Sequence, residues 1–251
     1  MNIKTVYLLD GSEEGFFTAV FDAYKDRTAY LTSEGNRQLA FGEKLVLVKA
    51  DGQKSERVVR KIKQIDAEVL YDLGLALRNR ELDREQTAFL YIRELVETGR
   101  RVRGKLSVEC VRRMMDLRGQ VSNEVHRLKG FLRFSECQNG LLYAPCSPDH
   151  DDVDLLAPHF VARLNTPFVI HDVWRKKAVI YDGEQCAVVF ADGAEIFESN
   201  REQVFSALWK KYYSTVNIPS RKNVRQQKNY MPTRYWKFLN EKPAGDDGEG
   251  F

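Results

Sequence analysis

GFLRFSECQNGLLYAPC, residues 130–146, is the stretch at which the texture of this chain changes. Its two apolar runs flank Gln138-Asn139-Gly140, and Asn-Gly supplies the positive-φ positions that a tight turn between paired strands demands. A β-hairpin is expected here. Upstream, from Ser107 onward, Met114, Leu117, Val121, Val125 and Leu128 recur at three- and four-residue steps, predicting one long amphipathic helix that Gly130 ends. Downstream, LLAPHFVARL (155–164) reads as a short helix with Pro158 near its first turn. PFVIHDVW and KAVIYD, separated by Arg175-Lys176, then turn at Asp182-Gly183 into EQCAVVFA, an antiparallel meander with one face on helices and one partly wet.

The N-terminal half has the opposite character. KTVYLLD (4–10) is a strand, and Ser12 caps a helix on which Phe16, Val20 and Tyr24 recur. EKLVLVKA (43–50) is a second strand, followed by helices through Val58 to Ile65, over EVLYDLGLALRN, and from Asp83 to Gly99. The chain closes with a helix from about Asn200 to Tyr213 and a short one near Met231 to Leu239. The fold class is therefore α+β: a helix-rich N-terminal half with a short strand start, then an antiparallel hairpin and meander sheet packed by helices. The basic connector GRRVRGK divides a mostly helical region, 1–104, from an α+β domain, 105–242, with 243–251 a disordered acidic tail.

With 251 residues, 43% of them hydrophobic, the chain can bury a substantial core in one or two domains. No apolar run reaches the ~20 residues of a membrane helix and no signal peptide opens the chain, so a cytoplasmic location is expected. Cys110, Cys137, Cys146 and Cys186 form no C-x-x-C pair; they read as buried thiols, with Cys137 and Cys146 able to face each other across the hairpin. No cofactor is called for.

Net charge is only +3, but from Gln203 to Asn240 there is no acid at all. There Arg221, Arg225, Lys228 and Arg234 alternate with Trp209, Tyr212, Tyr213, Tyr230, Tyr235 and Trp236. Cations that neutralise phosphates beside rings that stack on bases are the chemistry of single-stranded nucleic-acid grooves. Trp209 and Tyr213, four apart on a helix, also suit a core face. The four histidines sit beside carboxylates, in EVH (124–126), SPDHDDVD (147–154), PHF (158–160) and IHD (170–172), and could hold a divalent metal or supply general acid and base. None of these spacings is a metal motif, and Pro148-Asp149-His150-Asp151 equally suits a turn and helix cap.

YLLDGSEEGFFTAVFDAY (7–24), HFVARLNTPFVIHDVWRKKAVIYD (159–182) and LWKKYYSTVNIPSRKNVRQQKNYMPTRYWKFLNE (208–241) resemble a bacterial family of DNA metabolism or repair proteins. The resemblance rests on Trp209, Tyr212, Arg221, Asn223, Met231, Pro232, Tyr235, Trp236 and Glu241, and on His159, Phe160, Arg163, Asp172, Arg175 and Tyr181; Glu13 stands where the family carries an aromatic. It implies a DNA partner, single-stranded or damaged, and a radical-SAM protein partner that would carry its own iron–sulfur cluster. Some members are fused to a uracil-DNA glycosylase-like domain; none follows Glu241, so uracil excision is not expected.

Three readings follow. In the first, a DNA-binding accessory factor uses Arg163, Arg175, Arg221, Asn223, Arg225, Lys228, Tyr230, Arg234 and Trp236. On this reading residues 221–237 lie extended over the sheet's wet face, anchored by Tyr235, Trp236 and Leu239, and place Arg221, Arg225 and Arg234 near Arg163 and Arg175 in one positive groove. The second is a metal-assisted nuclease or base-processing hydrolase built on His159, His171 and Asp172 with Glu124 or Asp149. The third is a protein-interaction scaffold, since Trp, Tyr and Arg dominate binding hot spots.

Overall fold

The computed structural model describes residues 4–36, 38–192, 199–216 and 223–239. Packing divides the chain into two units, Met1–Ser122 and Asn123–Phe251. The division falls inside a long helix, downstream of the connector at which the sequence reading divides it. Residues 243–251 lie outside those described.

The first unit opens with β1 (Lys4–Leu8), α1 (Glu13–Ala23), β2 (Tyr30–Thr32) and β3 (Glu43–Leu47). The strands form a parallel sheet in the order β2-β1-β3, with Val6 opposite Tyr30 on one side and Leu45 on the other. The sequence reading lacks β2 and the parallel pairing, because a three-residue strand offers no measurable alternation and its partners are distant in the chain. The turn into α1 is locally encoded. Gly11 takes φ +83°, a left-handed conformation, and Ser12 Oγ accepts from Gly15 N at 2.9 Å. α2 (Gly52–Asp66) is capped by Asp51, and α3 (Glu68–Ala76), α4 (Arg84–Thr98) and the start of α5 (Glu109–Phe131) complete the unit. Phe16, Phe17, Leu31, Ile62, Leu73, Phe89, Ile92, Met114 and Leu117 form its core.

The second unit takes the end of α5, then β4 (Ser135–Glu136), β5 (Leu142–Cys146), α6 (Val153–Leu164), β6 (Phe168–Asp172), β7 (Lys177–Tyr181) and β8 (Cys186–Phe190). Gly140 takes φ +78° in the β4–β5 hairpin, as Asn-Gly predicts. β6-β7-β8 is an antiparallel meander. β5 and β6, however, pair in parallel, Ala144 opposite Ile170, so the expected all-antiparallel sheet is corrected to a mixed one. The reason is α6: it carries the chain from the end of β5 back to the start of β6, a crossover that a hairpin cannot provide. Pro158 sits well inside α6.

α7 (Asn200–Val216), α8 (Val224–Tyr230) and a 3₁₀ helix (Thr233–Phe238) close the described chain. Residues 224–230, expected to be extended, are helical because Asn223 caps them, its side chain accepting from Gln226 N at 3.0 Å. Phe160, Phe168, Ile170 and Tyr235 share one core with Leu128 and Leu156. All four cysteines are free thiols; Cys137 and Cys146 are buried as expected, but Cys110 is half-buried and Cys186 exposed, and the hairpin register sets Cys137 opposite Leu141 and not Cys146.

Candidate functional site

Strand alternation sets the chemistry of the second unit. Phe168, Ile170 and Asp172 point to the helix-covered face of β6, while Val169 and His171 point away. Two faces therefore separate the His171-Asp172 pair that the hydrolase reading joins. On the outer face His171 Nδ1 meets Tyr143 Oη at 2.8 Å. His159 lies on α6, beside Phe160 and within reach of the Lys129 and Arg163 charges. Among the described residues, no three His, Cys, Asp or Glu side chains are grouped to hold a metal.

On the covered face Glu124, from α5, is a hub. Its carboxylate accepts from the amides of Asp149 (3.1 Å) and His150 (2.8 Å), from Arg234 Nη2 (2.8 Å) and from Tyr235 Oη (2.5 Å). Burial alone would raise its pKa, but these four hydrogen bonds, Tyr235's first, together hold it below the ordinary value. Glu124 thus clasps α5 to the 147–152 loop and to the 3₁₀ helix.

The same loop is held from its other side. Arg175 donates to the carbonyls of Pro148 (3.0 Å) and Asp149 (2.7 Å) while its Nη1 pairs with Asp172 at 2.9 Å. Arg234 adds Asp149 at 2.9 Å, and Lys177 holds Asp151 at 2.6 Å. Asp172 in turn accepts from the amides of Trp174 and Arg175, which shapes the β6–β7 turn. At the centre Asp152 is 0% exposed with both oxygens lacking a partner. Burial, and then the Glu124 charge, push its pKa up to about 8, so it is a neutral acid at pH 7. Burial likewise pushes the neighbouring Cys146 thiol well up. Fully enclosed groups of this kind set loop geometry and can store a proton, but they do not reach a substrate.

This network changes the groove expected from sequence. Arg175 and Arg234 do converge, but on carboxylates and carbonyls, because Glu124, Asp149 and Asp172 arrive from other elements. Trp236, assigned to the DNA-contacting set, is 3% exposed, its indole N–H donating to Met231 O at 3.0 Å. Tyr235, Trp236 and Leu239 anchor the segment as expected, yet Tyr235 does so within the helix-covered core and not over the outer face. Asn223 is a helix cap, and Arg221 lies outside the described residues. Arg163, Arg225, Lys228 and Tyr230 are exposed, Tyr230 at 72%.

Exposed aromatic and basic side chains lie instead on α7 and on α8. Ser199 caps α7, its Oγ accepting from Glu202 N at 3.0 Å, and the same end is tied to β4: Ser199 N donates to Glu136 O (2.8 Å), and Glu136 N to the Glu202 carboxylate (3.0 Å). Past that anchor, Phe205, Trp209 and Tyr212 are exposed beside Lys210 and Lys211. Trp209, a core candidate by its spacing, is 40% exposed and leans on Tyr212 with ring centroids 5.7 Å apart. Trp174 on the β6–β7 turn is 72% exposed, with the Arg175 guanidinium 5.0 Å from its ring centroid. Sequence reasoning missed Trp174 because an aromatic ending a strand reads as core. It also missed Lys177, whose partner Asp151 is 26 residues away in the chain.

No helix among the described residues is long and apolar enough to cross a membrane. Neither the curated proteins nor the solved structures contain a match to the chain. The sequence model of one family matches residues 82–241, a span that holds the Glu124 hub, the 147–152 loop, both arginine clamps, α7 and α8. That match covers more than half of the chain, which therefore belongs to the DUF4130 family, a domain of unknown function.

Proposed function

We propose that this protein is a nucleic-acid-binding accessory factor that presents single-stranded or damaged DNA to a radical-SAM partner. The observation that supports it is the exposure, within one acid-free segment, of Phe205, Trp209 and Tyr212 beside Lys210 and Lys211 on α7 and of Tyr230 with Arg225 and Lys228 on α8. Exposed rings offer stacking worth roughly 1–3 kcal/mol per base, and the cations supply the salt-dependent phosphate term. The loop network beneath serves as scaffold: Glu124 and Arg234 fix the 3₁₀ helix from which α8 is hung. The radical-SAM partner comes from the family resemblance alone.

Fluorescence anisotropy with a labelled oligothymidylate, repeated over a range of salt, tests the reading. Arg225→Ala with Lys228→Ala should weaken binding and flatten the salt slope by about 1–2 units, since each phosphate contact contributes nearly one. Trp209→Ala should weaken binding with the slope unchanged. Affinity and slope that survive all three substitutions sink the proposal.

The scaffold reading is favoured by one observation, the run of exposed apolar side chains Val204, Phe205, Leu208, Trp209 and Tyr212 along α7. Co-purification with the radical-SAM partner that resists nuclease treatment and is lost in Phe205→Asp with Leu208→Asp would favour it over DNA binding.

A further inference from the structure

In the first unit, α2 carries an excess of positive charge that its surroundings do not balance. From Gly52 to Ile65 the sequence holds five Lys and Arg against a single acid, Glu56. Val58 and Ile62 turn one side of the helix into the core, which leaves Arg57, Arg60, Lys61 and Lys63 exposed on the other, with Gln53 and Gln64 beside them. Arg57 lies three residues from Arg60 and four from Lys61, and Arg60 three from Lys63, so these cations are neighbours on the helix surface. None of the four is ion-paired among the described residues. Other basic side chains of the unit are compensated: Arg103 and Arg118 by Asp72, Arg113 by Asp83, and Lys54, on α2 itself, by Asp22 at 2.8 Å.

The helix is firmly set. Asp51 caps it, accepting from Gln53 N at 3.0 Å and Lys54 N at 3.2 Å, and the Arg57 guanidinium lies 4.8 Å from the ring centroid of Phe21 on α1. Like charges at three- and four-residue spacings destabilise a helix, a cost that a partner with repeated negative charges would relieve. A rise of 1.5 Å per residue sets Arg57 and Lys63 about 9 Å apart along the axis, which matches two to three phosphates of one duplex strand at about 3.4 Å each. No large apolar side chain between residues 52 and 65 is exposed. This face therefore has nothing to stack on an unpaired base and nothing to insert into a bilayer, and it offers contact to a phosphate backbone alone.

We infer that α2 is a docking face for the phosphate backbone of double-stranded nucleic acid. Arg57 and Arg60 present planar donors to phosphate oxygens, Lys61 and Lys63 supply point charges, and Gln53 and Gln64 add neutral N–H donors. Such contacts position a duplex without reading its sequence. The inference does not rest on the exposed rings of α7 and α8, whose partner would be an unpaired strand.

Anisotropy of a labelled duplex of mixed sequence, titrated with the full chain over a range of salt, tests it. Arg60→Gln with Lys61→Gln and Lys63→Gln keeps good helix formers at all three positions. It should flatten the salt slope by about 2–3 units and weaken duplex binding by about tenfold or more. Glu56→Gln, which removes the single acid, should tighten duplex binding, and oligothymidylate binding should survive the triple substitution. Duplex affinity and slope that the triple variant leaves unchanged overturn the inference, as does an equal loss of oligothymidylate binding. A chain that binds phosphatidylserine vesicles through these residues and no duplex overturns it in favour of a membrane surface. Failure on the duplex leaves the rings of α7 and α8 to their own test with oligothymidylate and Trp209→Ala.

Discussion

Truncating Glu124 to Ala is the most severe single test of how the second unit is held together. Four donors meet its carboxylate: two loop amides, Arg234 and Tyr235. Arg234 would keep Asp149 at 2.9 Å, but Tyr235 Oη and the amides of Asp149 and His150 would lose their acceptor. Orphaning a buried donor costs about 1–3 kcal/mol, partly offset by no longer desolvating a carboxylate. The net loss should be about 3–5 kcal/mol, the usual result of breaking a buried ion pair. Tyr235→Phe removes a single donor and should cost about 1–2 kcal/mol, with a coupling to Glu124→Ala of about 1–3 kcal/mol in a double-mutant cycle. All three tryptophans, Trp174, Trp209 and Trp236, lie in this unit. With Trp174→Phe and Trp209→Phe in the background, urea unfolding followed through buried Trp236 reports this unit alone. A loss under about 1 kcal/mol with an unshifted Trp236 emission would refute the view that Glu124 holds the C-terminal segment in place. The pH dependence has a definite sign: a depressed folded pKa means that the Glu124 contribution is present above the unfolded value, near 4.5, and is lost as pH falls through the folded one.

Asp152 should behave in the opposite sense, because its folded pKa of about 8 lies above the unfolded carboxyl value. Its contribution is complete below about pH 4 and falls by up to about 1.4 kcal/mol per pH unit as pH rises toward 8. Asp152→Asn should flatten that limb of a stability–pH curve, and an unchanged slope would show that the carboxyl finds water or a partner. Of the four thiols only Cys186 is exposed, so Ellman's reagent should label one residue quickly and lose that phase in Cys186→Ser. Fast labelling of Cys146, whose pKa burial pushes well up, would contradict the enclosed network.

The sequence by itself determined most of the elements, because the signals that make them are local. Asn139-Gly140 carries its own turn, Ser12 caps its own helix, and the spacing of Met114, Leu117 and Val121 marks the buried face of α5 whatever packs against it. It also located the acid-free C-terminal segment and the Tyr235, Trp236 and Leu239 anchor. Only the tertiary structure decided which strands are parallel, since β5 and β6 announce themselves identically in either direction and α6 fixes the sense. The same limit applies to the charges. Arg175 and Arg234 read as free cations in sequence because Glu124 stands 110 residues from Arg234 along the chain, and only folding brings it within 2.8 Å. A charge has no fixed role until its neighbours are known: the same guanidinium that would bind phosphate on an open surface becomes a structural clamp once a buried carboxylate faces it.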